Sequence, residues 1–133
     1  MCTLSYTKCF AKYGAKLANP RWAVSAQADD GSIVISCWKD YFDDSGCLYT
    51  DTFSRWEKNT AGNNLLRKHI NLAKTQNLPI RLVLTTAQNN LPPGADWDAT
   101  KIPKTFSICP EFVGKVVFFD GDEFIIKFSK SGN

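Results

Sequence analysis

Apolar positions along the chain recur with two periods, near 3.6 and near 2, and the switches between them mark out the elements. Over residues 4–18, Tyr6, Phe10, Tyr13 and Leu17 are spaced by four, three and four, which places them on one face of an amphipathic helix. Lys8, Lys12 and Lys16 repeat every fourth residue and fall well away from that face. Asn19-Pro20 stops the helix, because the residue before a proline is pushed out of the α region. Period two follows. Residues 21–27 alternate Trp22, Val24 and Ala26 against Arg21, Ala23, Ser25 and Gln27. Asp29-Asp30-Gly31 supplies a turn, and residues 32–39 return with Ile33, Ile35 and Cys37 on one side, which predicts a hairpin.

Residues 40–58 are rich in Asp and aromatic side chains and read as a loop with a helical turn near 53–56. A second helix is expected over 60–76, with Thr60 as N-cap and Leu66, Ile70 and Ala73 as its apolar stripe. Pro79 closes the connection, and residues 80–86 form a strand with Ile80, Leu82 and Leu84 on one face. Residues 87–111 hold four prolines and no clear period, a long unpatterned stretch of the kind that is often functional. The chain then patterns as a second hairpin, 115–120 and 123–129 joined at Gly121, carrying Phe118, Phe119, Phe124, Ile125, Ile126 and Phe128. Helix, hairpin, helix, strand, long loop and hairpin make one α+β domain over 1–133, with a polar tail at 129–133. The expected architecture is a largely antiparallel sheet of about five strands with both helices packed on it.

Composition adds few constraints. With 133 residues, 44% hydrophobic and 22% charged, the chain is an ordinary length for one domain. The net charge of +3 neither requires nor opposes a nucleic-acid partner. Nine Phe, four Trp and four Tyr are more aromatic side chains than a core of this size demands. Cys2, Cys9, Cys37, Cys47 and Cys109 form no C-x-x-C pair, and a single histidine leaves no Cys/His zinc pattern. They read as reduced, packed thiols, which implies an intracellular, cytoplasmic protein. No apolar run is long enough to span a membrane, and residues 1–20 lack the layout of a signal peptide. No cofactor motif or phosphate-cradling glycine loop is present, so neither cofactor nor metal is expected.

Each group capable of chemistry has a structural explanation beside the functional one. His69, the lone histidine, falls beside Leu66, Ile70 and Ala73 and reads as a packed residue with a hydrogen-bond partner. Asp120, Asp122, Glu123 and Lys127 hold the residue types of a metal-dependent nuclease. Such sites place the lysine two residues beyond a carboxylate, however, and Glu123 and Lys127 are four apart, while Asp-Gly-Asp is what a tight turn favours. Thr60 to Asn64 could hold an anion at a helix start, and ordinary capping explains the same residues. Trp22 belongs to the apolar side of its strand. Trp38, Trp56 and Trp97 stand beside charged residues, where they could serve base stacking or plug a core edge.

The pattern 19–26 (NPRWAVSA), then 31–40 (GSIVISCWKD), the helix holding residues 65–73 and the strand 80–84 together resemble uncharacterised bacterial and phage domains. Some of those domains precede HNH nuclease modules in restriction-type proteins. The resemblance implies a DNA-reading domain, of a kind that senses modified bases and binds without cutting, since one histidine cannot build an HNH module. The residues expected to touch DNA or RNA are Arg21, Lys39, Arg55, Trp56, Asn64, Arg67, Lys101 and Lys104, through phosphate contacts and stacking. The alternative is a protein-interaction module of the phage accessory or immunity type, using loops 40–56 and 87–111. Its discriminating feature is the acidic run Asp40, Asp43, Asp44 and Asp51, which would repel nucleic acid. A small enzyme would need its scattered carboxylates gathered in one cleft.

Overall fold

The computed structural model describes residues 5–19, 23–43, 47–56, 60–87 and 104–130. Helix α1 (Tyr6–Lys12) is capped by Ser5, whose hydroxyl accepts the Lys8 amide at 3.3 Å. It is shorter than the apolar spacing predicts. Gly14 takes a positive φ of 79°, and the Gly14 amide donates to the Ala11 carbonyl, which ends the helix one turn after Phe10. Tyr13 and Leu17 still point inward, but from a bend: Ala15 already pairs with Ala28 as an antiparallel bridge.

Seven strands follow among the described residues: β1 (Ser25–Gln27), β2 (Ile33–Trp38), β3 (Leu48–Thr52), β4 (Ile80–Ala87), β5 (Lys104–Ile108), β6 (Phe112–Phe119) and β7 (Glu123–Lys130). Two 3₁₀ turns, Lys39–Tyr41 and Phe53–Trp56, flank β3. Helix α2 (Thr60–Gln76) lies between the second of these and β4. The strand order is β1-β2-β4-β6-β7-β3, with β5 also on β4. The sheet is mixed, not the five-stranded antiparallel one expected. β2 and β4 run parallel in register from Ile33↔Ile80 to Trp38↔Thr85, which the long crossover through β3 and α2 makes possible.

Two further expectations change. Residues 48–52 form strand β3 on β7, inside the stretch expected to be loop, and residues 104–108 form β5 inside the expected 87–111 loop. The helices sit on opposite faces. Along β2, Ile33, Ile35 and Cys37 face α2, in one core with Leu66, Ile70, Ala73, Tyr49, Phe53, Phe124, Ile126 and Phe128. Val34 and Val83 face the other way and pack with Cys9 and Phe10 of α1. Lys8, Lys12 and Lys16 are exposed on the side of the sheet away from α2.

The sheet curls around α2. β4 and β6 pair only at Ile80↔Gly114; beyond that point β6 leaves β4 and α2 fills the opening. At the far edge, β3 returns toward the end of β2: Phe42 bridges Tyr49, and the Trp38 amide donates to the Tyr49 hydroxyl at 3.4 Å. Gly114 stands at the corner. A Cβ there would lie 2.5 Å from Phe128 Cε1 and 2.9 Å from Ile126 Cγ2, and both side chains are fully buried. Gly114→Ala should therefore destabilise the protein by about 1–3 kcal/mol, an overpacking cost with no void to absorb it. Urea unfolding measures it, and an unchanged midpoint would show that the corner can relax.

Candidate functional site

Of the expected contact residues, Lys39 is exposed on the 3₁₀ turn after β2, and Asn64 is exposed on the first turns of α2. Arg67 is half-buried and already engaged. Its guanidinium donates to the Gly121 carbonyl and to Asn63 Oδ1 (3.4 Å), and lies 4.4 Å over the Phe53 ring. Asn63 in turn donates to the Phe53 carbonyl at 2.8 Å. This network ties the β6–β7 turn to the start of α2, and the arginine serves that join. Arg55 and Trp56 belong to the second 3₁₀ turn and Lys104 opens β5; their side chains, like all of Arg21 and Lys101, lie outside the described residues. So do Trp22 and Trp97.

The surface that sequence reasoning missed is the outer face of β6, β7 and β3. α1 covers the outer face of the sheet over β2, β4 and β5, and no described helix covers it over β6, β7 and β3. Alternation puts Gly114 and Val116 of β6 inward. A bulge then intervenes between Val116 and Phe118, with Val117 as the extra residue. It shifts the phase by one, so that Phe118 opposes Ile125 on the outer face while Phe119 turns inward, 5.9 Å from the Phe53 ring. Val117 is 50% exposed and Phe118 39%, the large hydrophobic side chains that the described fold leaves open.

Two lysines stand beside them. Lys115 and Lys127 oppose each other directly across β6 and β7, both exposed. Like charges at directly opposed positions repel, so this pair is unfavourable for the sheet itself. Leu48 and Thr50 of β3, in register with Lys127 and Ile125, extend the face. Its tip is acidic, but Asp120 and Asp122 are committed to the turn. Asp120 Oδ1 accepts the amides of Asp122 and Glu123 at 2.9 and 2.8 Å, which holds its carboxyl below the usual range. Asp122 accepts the Ser54 amide and hydroxyl at 2.9 and 3.0 Å. The signal for this face was present in Val116-Val117-Phe118-Phe119, a run that strict alternation cannot place on one side.

Other groups are enclosed. Tyr6 donates to the Ala23 carbonyl at 2.7 Å, and burial pushes its hydroxyl well above the ordinary phenol range. Tyr13 donates to the Leu82 carbonyl at 2.7 Å and accepts the Cys109 amide at 3.0 Å; burial pushes it up to about 12. Both are packing groups. Asp51 of the acidic run is buried, and Asp43 Oδ1 accepts the amides of Cys47 and Leu48 at 3.2 and 3.1 Å. Cys9 and Cys37 are buried and Cys47 and Cys109 half-buried, with no disulfide among the four. Among the described residues no three His, Cys, Asp or Glu side chains come together as a metal site, and no helix is long and apolar enough to cross a membrane. No protein-family model, curated protein or solved structure matches the chain.

The lone histidine sits inside the domain: Ser25 Oγ and His69 Nδ1 share a hydrogen bond of 2.7 Å, with Ser25 fully buried. Burial, and then the neighbouring Lys68, lower the His69 pKa, so the folded protein holds a neutral imidazole. An unfolded histidine titrates near 6.5, so below that value the unfolded chain binds more protons. Stability should fall as pH drops from about 6.5 towards the lower folded value, by at most about 1.4 kcal/mol per pH unit, and level off below it. Urea unfolding between about pH 7.5 and 5 measures the slope, and His69→Gln should flatten it. The same slope in that variant would assign it to other groups.

Proposed function

We propose that the protein is a non-catalytic nucleic-acid-binding domain whose contact surface is the outer face of β3, β6 and β7. One observation carries the reading. A like-charge lysine pair, Lys115 and Lys127, is held directly opposed beside an exposed Phe118, on a sheet face that no described helix covers. Cross-strand repulsion is a cost in the free protein, and a bound phosphate converts it into attraction. An aromatic ring next to those cations offers what a base needs, a planar apolar surface. The net charge of +3 agrees with the sign of this surface without defining a site.

Arg67, expected from sequence to touch phosphate, is bound to the Gly121 carbonyl and Asn63, so its removal should lower stability more than affinity.

Fluorescence anisotropy with labelled DNA and RNA over a range of salt tests the reading. Affinity should fall steeply with salt, and Lys115→Ala or Lys127→Ala should each weaken binding to all sequences and reduce the log–log salt slope by about 1. Lys8→Ala and Lys12→Ala, on the outer side of α1, should leave affinity within about twofold, since electrostatic losses at that distance are screened. No binding even at low salt would overturn the proposal, and losses confined to Lys8 and Lys12 would move the surface to α1.

A further inference from the structure

We infer, on top of the nucleic-acid reading above, that the ligand is a single strand, with a base stacked on Phe118 and the adjoining phosphates held by Lys115 and Lys127. A duplex keeps its base faces inside the stack and offers a protein only groove edges and phosphates, so reading it takes an element that enters a groove. Among the described residues, the outer face of β3, β6 and β7 carries no such projection. It offers a sheet with Val117 and Phe118 exposed and Ile125 half-buried beside them. For a nucleic acid, an exposed ring on a sheet face can stack a base only where the bases are free to turn outward, as they are in a single strand.

The order along the strands fits one nucleotide's reach. Lys127 and Ile125 are two residues apart on β7, about 6.6 Å at the ordinary strand rise, and their partners on β6 are Lys115 and Phe118. The lysine row and the apolar row are thus adjacent steps on the same face. Beyond the apolar row lies the turn with Asp120, Asp122 and Glu123, which repels phosphate and bounds the platform. On the other side of the lysine row, Val113 and Lys115 form one wall of an open apolar crevice of about 230 Å³, completed by Asn77, Leu78 and Pro79. A strand is therefore steered with its backbone over the lysines, one base toward Phe118 and the next group toward the crevice. DNA and RNA share this chemistry.

The test is anisotropy binding of oligo-dT, oligo-U and a mixed-sequence duplex, each about 12 units long, to suit the site sizes of stacking platforms. The inference expects the single strands to bind at least about tenfold tighter than the duplex. Phe118→Ala should cost the single strands about tenfold, and Phe118→Tyr should keep most of that. Lys127→Glu should lower affinity while raising the melting temperature of the free protein, because it replaces a repelling pair by an attracting one. A preference between oligo-dT and oligo-U would name the natural class.

Equal affinity for strand and duplex, with Phe118→Ala silent and the lysine variants weakened, would overturn the single-strand inference and leave the basic surface standing. Binding indifferent to Phe118, Lys115 and Lys127 together would overturn this face as the site. Absence of binding to all three probes would overturn the function itself. Concentration-dependent self-association abolished by Phe118→Ala would assign the face to a second copy of this chain.

Discussion

The fold depends on the point at which β6 leaves β4. At this corner a single pairing, Ile80↔Gly114, joins β4 to β6, and beyond it β6 turns away from β4. That turn is possible because Gly114 has no side chain where Phe128 and Ile126 close in. The opening it creates is filled by α2, whose Leu66, Ile70 and Ala73 meet side chains from both halves. Each buried phenylalanine in that space, Phe53, Phe124 and Phe128 among them, contributes about 1.5–3 kcal/mol of transfer free energy. Sheet curvature and helix packing are therefore one event: a flat sheet would leave α2 half wet, and without α2 the curl would enclose a void.

The same geometry decides what is left open. α1 is only seven residues long and lies over β2, β4 and β5, where Val34, Val83, Phe106 and Ile108 receive it. Past the corner the outer face bends away from α1, so no described helix covers it over β6, β7 and β3. The hairpin that carries this side is fixed at its far end by polar joins. Asp122 holds Ser54, and Arg67 reaches the Gly121 carbonyl while resting on Phe53. A platform pinned at the corner and at the tip is held in one orientation, which lowers the entropy lost when a ligand settles on it.

Much of this was legible in the sequence, and the rest was not, for identifiable reasons. Helix α2 was readable to its ends because Leu66, Ile70 and Ala73 keep a clean helical spacing and Pro79 follows. The two hairpins were readable from Asp-Gly turns flanked by alternating strands. β3 was hidden because its inward positions are Tyr49 and Asp51, and an aspartate at a core position breaks the apolar pattern of a strand. β5 is only five residues long inside a proline-rich stretch. Parallel pairing of β2 with β4 leaves no local mark, since it is set by residues more than forty positions apart. Of the contact residues read from the sequence, Lys39 and Asn64 are open to solvent, and Arg67 is engaged by the Gly121 carbonyl, Asn63 and the Phe53 ring. A side chain's long-range hydrogen bond to a carbonyl in another hairpin has no signature in its own neighbourhood.

The bulge at Val117 links these threads. Without it, β6 would keep its phase from Gly114 onward, and Phe118 would follow Val116 into the core while Phe119 faced water. With it, both rings are placed: Phe119 packs near Phe53, and Phe118 stands beside the lysines. An inserted residue that served the core alone could have left a polar side chain outside, as Thr50 and Ser129 do on neighbouring strands. Here the outer positions are Val117, Phe118 and Ile125, next to two directly opposed lysines that pair with no carboxylate among the described residues. Exposed apolar area and an unrelieved charge pair are each unfavourable for the free domain, and they occur at the same place. A ligand with a planar apolar part and a negative part satisfies both at once, and a nucleotide in a single strand is such a ligand.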